Sequence, residues 1–124
     1  MCGIAVSHSV ERTFWMRNQL WHRGPDASAQ VSVAGLEVGF TRLAIVDVND
    51  PMAQQPLVVP GRNTATVFNG EIYNHADLAA GMAADGQRIQ PVGRTEVAVL
   101  EALFQRAPRH VHRFLDGYYA GVHV

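Results

Sequence analysis

Lysine is absent from this 124-residue chain: all ten basic residues are arginines. That excludes a lysine-based phosphate loop and any mechanism running through a lysine Schiff base. Cysteine occurs once, at Cys2. No internal disulfide can form, which fits a reducing compartment, and any thiol chemistry falls on position 2. No apolar run approaches membrane-spanning length, and no basic segment leads into a long apolar stretch at the N-terminus. A cytoplasmic location is therefore expected, without membrane contact. The formal net charge is only -1, so no global field would draw nucleic acid or an anionic bilayer. With 48% hydrophobic and 17% charged residues, the composition is that of a globular chain, and residues 1–124 are expected to form a single domain around one core.

Along the chain, Gly3 to Ser7 reads as a short buried strand. Ser9 can cap a helix running to about Trp21, with Val10, Phe14 and Trp21 near one face. His22-Arg23-Gly24-Pro25-Asp26 stops it with a Gly-Pro turn. Ala29–Val33 and Leu36–Val46 are β-rich and separated by Ala34-Gly35, which predicts a hairpin. Residues 49–62 hold three prolines and read as a loop. Thr64–Phe68 reads as a strand ending at Asn69-Gly70. Asn74 with Asp77 forms a capping pattern, with Gly86 as the stop. Thr95 to Arg106 reads as a helix with Val97, Leu100 and Phe104 on one stripe. After Pro108 come a short apolar segment, residues 110–115, and a final strand, Tyr118–Val124. The sum is mixed α and β.

Cys2 directly follows the initiator methionine. Removal of Met1 would place a thiol and a free α-amino group on one residue. An α-amine titrates near pH ~8, so a fraction is neutral at pH 7 and able to take the thiol proton. The alternative is a small buried residue of the first strand, which Met-Cys-Gly alone would favour. Asn69-Gly70 is most often a hairpin turn, and Arg42 alone would be a surface ion-pair residue. His110 and His112 are two apart with no cysteine or acidic cluster nearby, so no metal site is expected, and no cofactor is called for. Tyr118, Tyr119 and Phe114 read as core or interface.

Four stretches occur in register: Met1-Cys2-Gly3-Ile4-Ala5, His22-Arg23-Gly24-Pro25-Asp26, Arg42-Leu43-Ala44-Ile45-Val46-Asp47 and Phe68-Asn69-Gly70-Glu71-Ile72-Tyr73-Asn74. Thr95-Glu96-Val97 and Phe114-Leu115-Asp116-Gly117-Tyr118-Tyr119-Ala120 follow as weaker matches. Together they resemble the class II glutamine amidotransferase domain of the asparagine-synthetase type, across the whole chain. The resemblance implies the α/β/β/α sandwich of N-terminal nucleophile hydrolases. It implies Cys2 as the nucleophile attacking the side-chain amide of glutamine, giving a thioester and ammonia. Asn69 and Gly70 match the oxyanion hole, where a glycine admits close backbone approach and a neutral amide meets developing charge. Arg42 matches the clamp on the substrate α-carboxylate, a task suited to a guanidinium. Arg23 and Gly24 match the turn beside the nucleophile, and Glu71 lies where the family contacts the substrate amino group.

Two departures stand out. The family commonly has an aspartate before Thr-Glu-Val, pairing with the substrate ammonium; this chain has Arg94, whose charge would repel it. Glu71 or Glu96 are the compensating candidates. Family domains also continue through further strands, so the sandwich is expected to be incomplete at the C-terminus, its open edge covered by a partner chain or by self-association. No pyrophosphate loop is present to activate an acceptor, so the ammonia would go to a separate synthetase. Two other readings remain at this stage: a non-catalytic binding or regulatory module, and a cysteine hydrolase acting on another amide.

Overall fold

Strand β1 (Gly3–Ser7) is followed by helix α1 (Val10–Gln19). The computed structural model describes residues 1–45, 48–86 and 95–124. Ser9 caps α1, its Oγ accepting from the Arg12 N–H at 3.2 Å. The helix stops at Gln19 rather than Trp21, because Trp21–Arg23 tightens into a 3₁₀ turn. Its buried residue is Thr13, while Val10, Phe14 and Trp21 are exposed. The apolar face anticipated for this helix thus points away from the sheet. The reason lies beneath it: Gly39 leaves a floor that Thr13 fills, with Thr13 Cγ2 only 3.0 Å from where a Gly39 Cβ would stand.

The hairpin comprises β2 (Ala27–Val33) and β3 (Leu36–Arg42), turning at Ala34 and Gly35, both of positive φ. That is the turn whose twist suits a two-residue hairpin. β3 ends at Arg42, short of the expected Val46, which lies outside the described residues. The loop over residues 49–62 carries one 3₁₀ turn (Pro51–Ala53) and a two-residue strand, β4 (Leu57–Val58). β5 (Ala65–Ile72) runs straight through Asn69-Gly70, so this dipeptide is mid-strand and not the end expected from sequence. Helices α2 (His75–Ala84) and α3 (Glu96–Arg106) follow, then β6 (Gly117–His123). Asn74 does not cap α2; its side chain bridges to Phe114 O and Asp116 N at 2.8 and 3.0 Å.

The strands form two antiparallel three-stranded sheets, ordered β1-β3-β2 and β4-β5-β6. Alternation along each strand sets the layering. Val38 and Phe40 of β3 meet Ala65 and Val67 of β5 between the sheets, joined by Cys2, Ile4, Val6, Val31 and Val122. Phe68 and Ile72 project to the other face of β5, onto Val97, Leu100 and Leu103 of α3 and Met82 of α2. With α1 on the outer face of β1 and β3, the mixed helix–strand chain takes the α/β/β/α order of an N-terminal nucleophile type domain. Tyr118, Tyr119 and Phe114 are exposed rather than core.

One polar cluster is sealed within the α3 layer. Glu101 is fully buried and accepts from Thr66 at 2.5 Å, Gln105 at 3.0 Å and Thr64 at 3.4 Å, with His123 Nδ1 at 3.3 Å. Burial acts to raise its carboxyl pKa, but the hydrogen bonds from His123, Thr66 and Gln105 together outweigh it and hold the group down at about 2. The cluster ties α3 to both β5 and β6.

Candidate active site

Side-chain parity puts three of the sequence-selected residues in one place. Gly3 pairs with Thr41 in the β1–β3 register, so Cys2, one residue earlier, comes level with Arg42. Cys2 shares its face with Ile4 and Val6, and Arg42 shares its own with Val38 and Phe40, which is the face between the sheets. Asn69 shares parity with Ala65 and Val67 and comes to the same space from the opposite sheet. The Cys2 backbone N–H donates to Asn69 Oδ1 at 2.8 Å, which leaves the Asn69 amide NH₂ to donate elsewhere.

The His22–Asp26 stretch holds this corner together. Arg23 Nε donates to the Cys2 carbonyl at 3.1 Å. Pro25 bridges to Arg42, the Asp26 N–H donates to Arg42 O at 3.0 Å, and Asp26 Oδ2 accepts from the Ala44 N–H at 2.8 Å. Gly24 lies flat against β3: a Cβ there would stand 2.6 Å from the Arg42 carbonyl carbon, so only glycine fits. The thiol is held by the strand end so anchored, with the Leu43 N–H donating to Cys2 Sγ at 3.4 Å.

A cavity of about 400 Å³ opens beside the thiol, lined among others by Cys2, Arg42, Asn69, Gly70, Glu71 and Glu96. That falls within the range of small-molecule sites, ~300–1,000 Å³. Arg42 is 7% exposed. Glu71 is exposed at the rim, with Tyr118 Oη donating to its Oε2 at 3.4 Å. The Glu71 charge raises the pKa of the Tyr118 hydroxyl, which keeps that donor protonated. Met1, 67% exposed, also lines the cavity and sits on the Cys2 nitrogen.

Cys2, Arg42, Asn69, Gly70 and Glu71 therefore converge, with Arg23 and Gly24 as the supporting turn. Arg94 lies outside the described residues. Sequence reading missed Gln55, which lines the same cavity and whose Oε1 accepts from the Phe68 N–H at 2.6 Å. A polar residue in a proline-rich loop carries no periodicity to reveal it. Glu96, from the first turn of α3, mirrors it: its Oε1 accepts from the Ile72 N–H at 2.6 Å.

A thiol at the head of the first strand thus meets an amide from the second sheet beside a small cavity, within a fold of the N-terminal nucleophile type. The glutamine amidotransferase domain profile matches residues 1–123, and the chain belongs to that family. It is 31% identical over 130 residues to glutamine-hydrolyzing asparagine synthetase 2 of Oryza sativa subsp. japonica, covering 98% of this chain and 21% of the relative. The figure is 35% over 82 residues for glutamine-hydrolyzing asparagine synthetase 1 of Bacillus subtilis (66% and 13% covered). Amidase chyE of Penicillium rubens is 28% identical over 98 residues (79% and 14% covered). The chain thus spans less than a quarter of the length of these curated relatives.

Proposed function

We propose that this domain hydrolyses the side-chain amide of glutamine through a thioester on Cys2 and supplies the ammonia to a synthetase or other ammonia acceptor. The observation that carries this reading is the 2.8 Å contact from the Cys2 nitrogen to Asn69 Oδ1 across the two sheets. It holds the future α-amine and the neutral donor side by side.

Loss of Met1 converts that nitrogen to an α-amine. The amine takes the Sγ proton as sulfur attacks the amide carbon of glutamine. Negative charge then develops on the amide oxygen, where the Asn69 NH₂ and the Gly70 N–H stabilise it. The ammonium returns its proton to the leaving nitrogen, ammonia departs, and a Cys2 thioester remains. The amine next deprotonates a water that attacks the thioester, releasing glutamate and the thiol. Arg42 holds the substrate α-carboxylate through its guanidinium, and Glu71 supplies the charge for the α-ammonium. Arg23 and Gly24, expected near the substrate, are not among the residues that line the cavity; they support the turn beside it. The similarity to glutamine-hydrolyzing asparagine synthetases supports the choice of substrate and of acceptor class.

The test is intact mass before and after exposure to a diazo-ketone analogue of glutamine. The expected result is a protein lacking Met1 that gains one adduct, mapped to Cys2. A protein that retains Met1 quantitatively would end the catalytic reading. One that is processed but unlabelled would move the donor from glutamine to another amide.

A further inference from the structure

The backbone N–H groups of β5 are dealt out alternately to its two edges. Ala65 and Val124 exchange both hydrogen bonds, at 3.1 and 3.0 Å. In an antiparallel ladder, hydrogen-bonded pairs recur every second residue. With the β5–β6 register, the pairs Val67↔Val122, Asn69↔Ala120 and Glu71↔Tyr118 therefore point their N–H groups at β6. Thr66, Phe68, Gly70 and Ile72 point theirs the other way.

On that second edge, Thr66 meets Leu57 of β4. The β4–β5 register continued backwards would place Gln55 opposite Phe68, but β4 begins only at Leu57, so no backbone rung forms there. The Gln55 side chain takes over instead, accepting the Phe68 N–H at 2.6 Å. Two rungs on, Glu96 accepts the Ile72 N–H at 2.6 Å. Between them stands Gly70, whose φ of +140° and 2.1 Å approach of Tyr118 O to its missing Cβ admit no side chain. Gln55, Gly70 and Glu96 all line the cavity that holds Cys2.

We propose that the oxyanion site is a one-rung gap in a β-ladder, and that Gln55 and Glu96 are the positioning residues that hold the gap open at fixed width. Each side chain stands where a neighbouring strand's carbonyl would stand. Both flanking N–H groups are consumed, and the Gly70 N–H is presented to substrate from a backbone pinned on either side. Donors fixed in this way need no reorganisation when charge develops. The mechanistic half of the inference rests on the glutaminase reading; the hydrogen-bonding half does not.

Two measurements on the Met1-processed protein test it. The first is amide hydrogen exchange by NMR. Phe68 and Ile72 should be protected and Gly70 fast, with Gln55→Met releasing Phe68 and Glu96→Met releasing Ile72. A Gly70 amide as protected as its neighbours, or variants without effect on them, overturns the gap. The second is steady-state glutamine hydrolysis. Gln55→Met and Glu96→Met should each lower kcat tenfold or more, while glutamine Kd on a Cys2→Ala background changes less than threefold. Glu96→Gln, which keeps an acceptor for Ile72, should recover most of the kcat lost in Glu96→Met. Unchanged kcat in folded Met variants, or a kcat loss matched by an equal loss of binding, overturns the positioning role. If the exchange pattern holds but the unaltered protein neither hydrolyses glutamine nor is alkylated on Cys2, the glutaminase reading falls and the ladder gap stands.

Discussion

β5 carries a polar cluster on each of its faces, and the two are built on opposite plans. On the α3 side, Thr66 joins Glu101, Gln105 and His123 in a buried knot where the carboxylate has four partners. On the inter-sheet side, Asn69 spends its carbonyl on Cys2 and keeps its amide NH₂ for a cavity. Buried polar groups cost little only when all their partners are present. The first cluster meets that condition within the protein and so is a brace. The second is only half-buried and leaves its amide NH₂ beside the cavity, open to a ligand with a matching acceptor. Spare hydrogen-bonding capacity, rather than polarity, separates a site from a strut on the same strand.

The most severe way to break this contrast is Cys2→Ala. Glutamine hydrolysis should fall below about a thousandth of the original rate, with thermal unfolding hardly shifted because a small apolar residue remains in place. Residual activity near the original level would remove Cys2 from the chemistry. Next comes Asn69→Ala, for which kcat should drop about 10²-fold or more, on the order of 3 kcal/mol of barrier. Glutamine binding should suffer less, since the oxyanion exists only after attack. A loss confined to KM would assign Asn69 to ground-state binding.

The smallest effect belongs to the brace. A carboxyl held at about 2, below its ordinary 4.5, contributes stability that is present above pH 4.5 and is lost as pH falls from there towards 2. That contribution is on the order of 3 kcal/mol. Glu101→Gln should flatten this acid limb in urea unfolding followed against pH, while leaving kcat near the original value. A variant with an unchanged acid limb would show that Glu101 is not the group responsible.

Much of this is legible in the amino-acid sequence. The hairpin at Ala34-Gly35, the Ser9 cap and the α3 stripe follow from local chemistry, whereas the grouping of Cys2, Arg42 and Asn69 was implied by the resemblance that the ordered motifs carry. Three things are not legible there. Val10, Phe14 and Trp21 suggested a buried helix face, but packing went to Thr13, because the strand beneath offers a glycine. Asn69-Gly70 carries the commonest turn signal and yet sits mid-strand, since pairing with Ala120 and Tyr119 overrides local preference. Gln55 acts through its side chain on a backbone 13 residues away, a relation that no local pattern encodes.

The alternation that brings Cys2 level with Arg42 makes the thiol's placement a matter of counting. One residue inserted between Cys2 and Gly3 would turn the thiol towards α1. Two would restore its face but carry it about 7 Å further along the strand, one full repeat beyond Asn69. The outer surface of α1 can drift in sequence with little consequence, whereas the distance from the chain's first residue to its first strand is fixed as an integer.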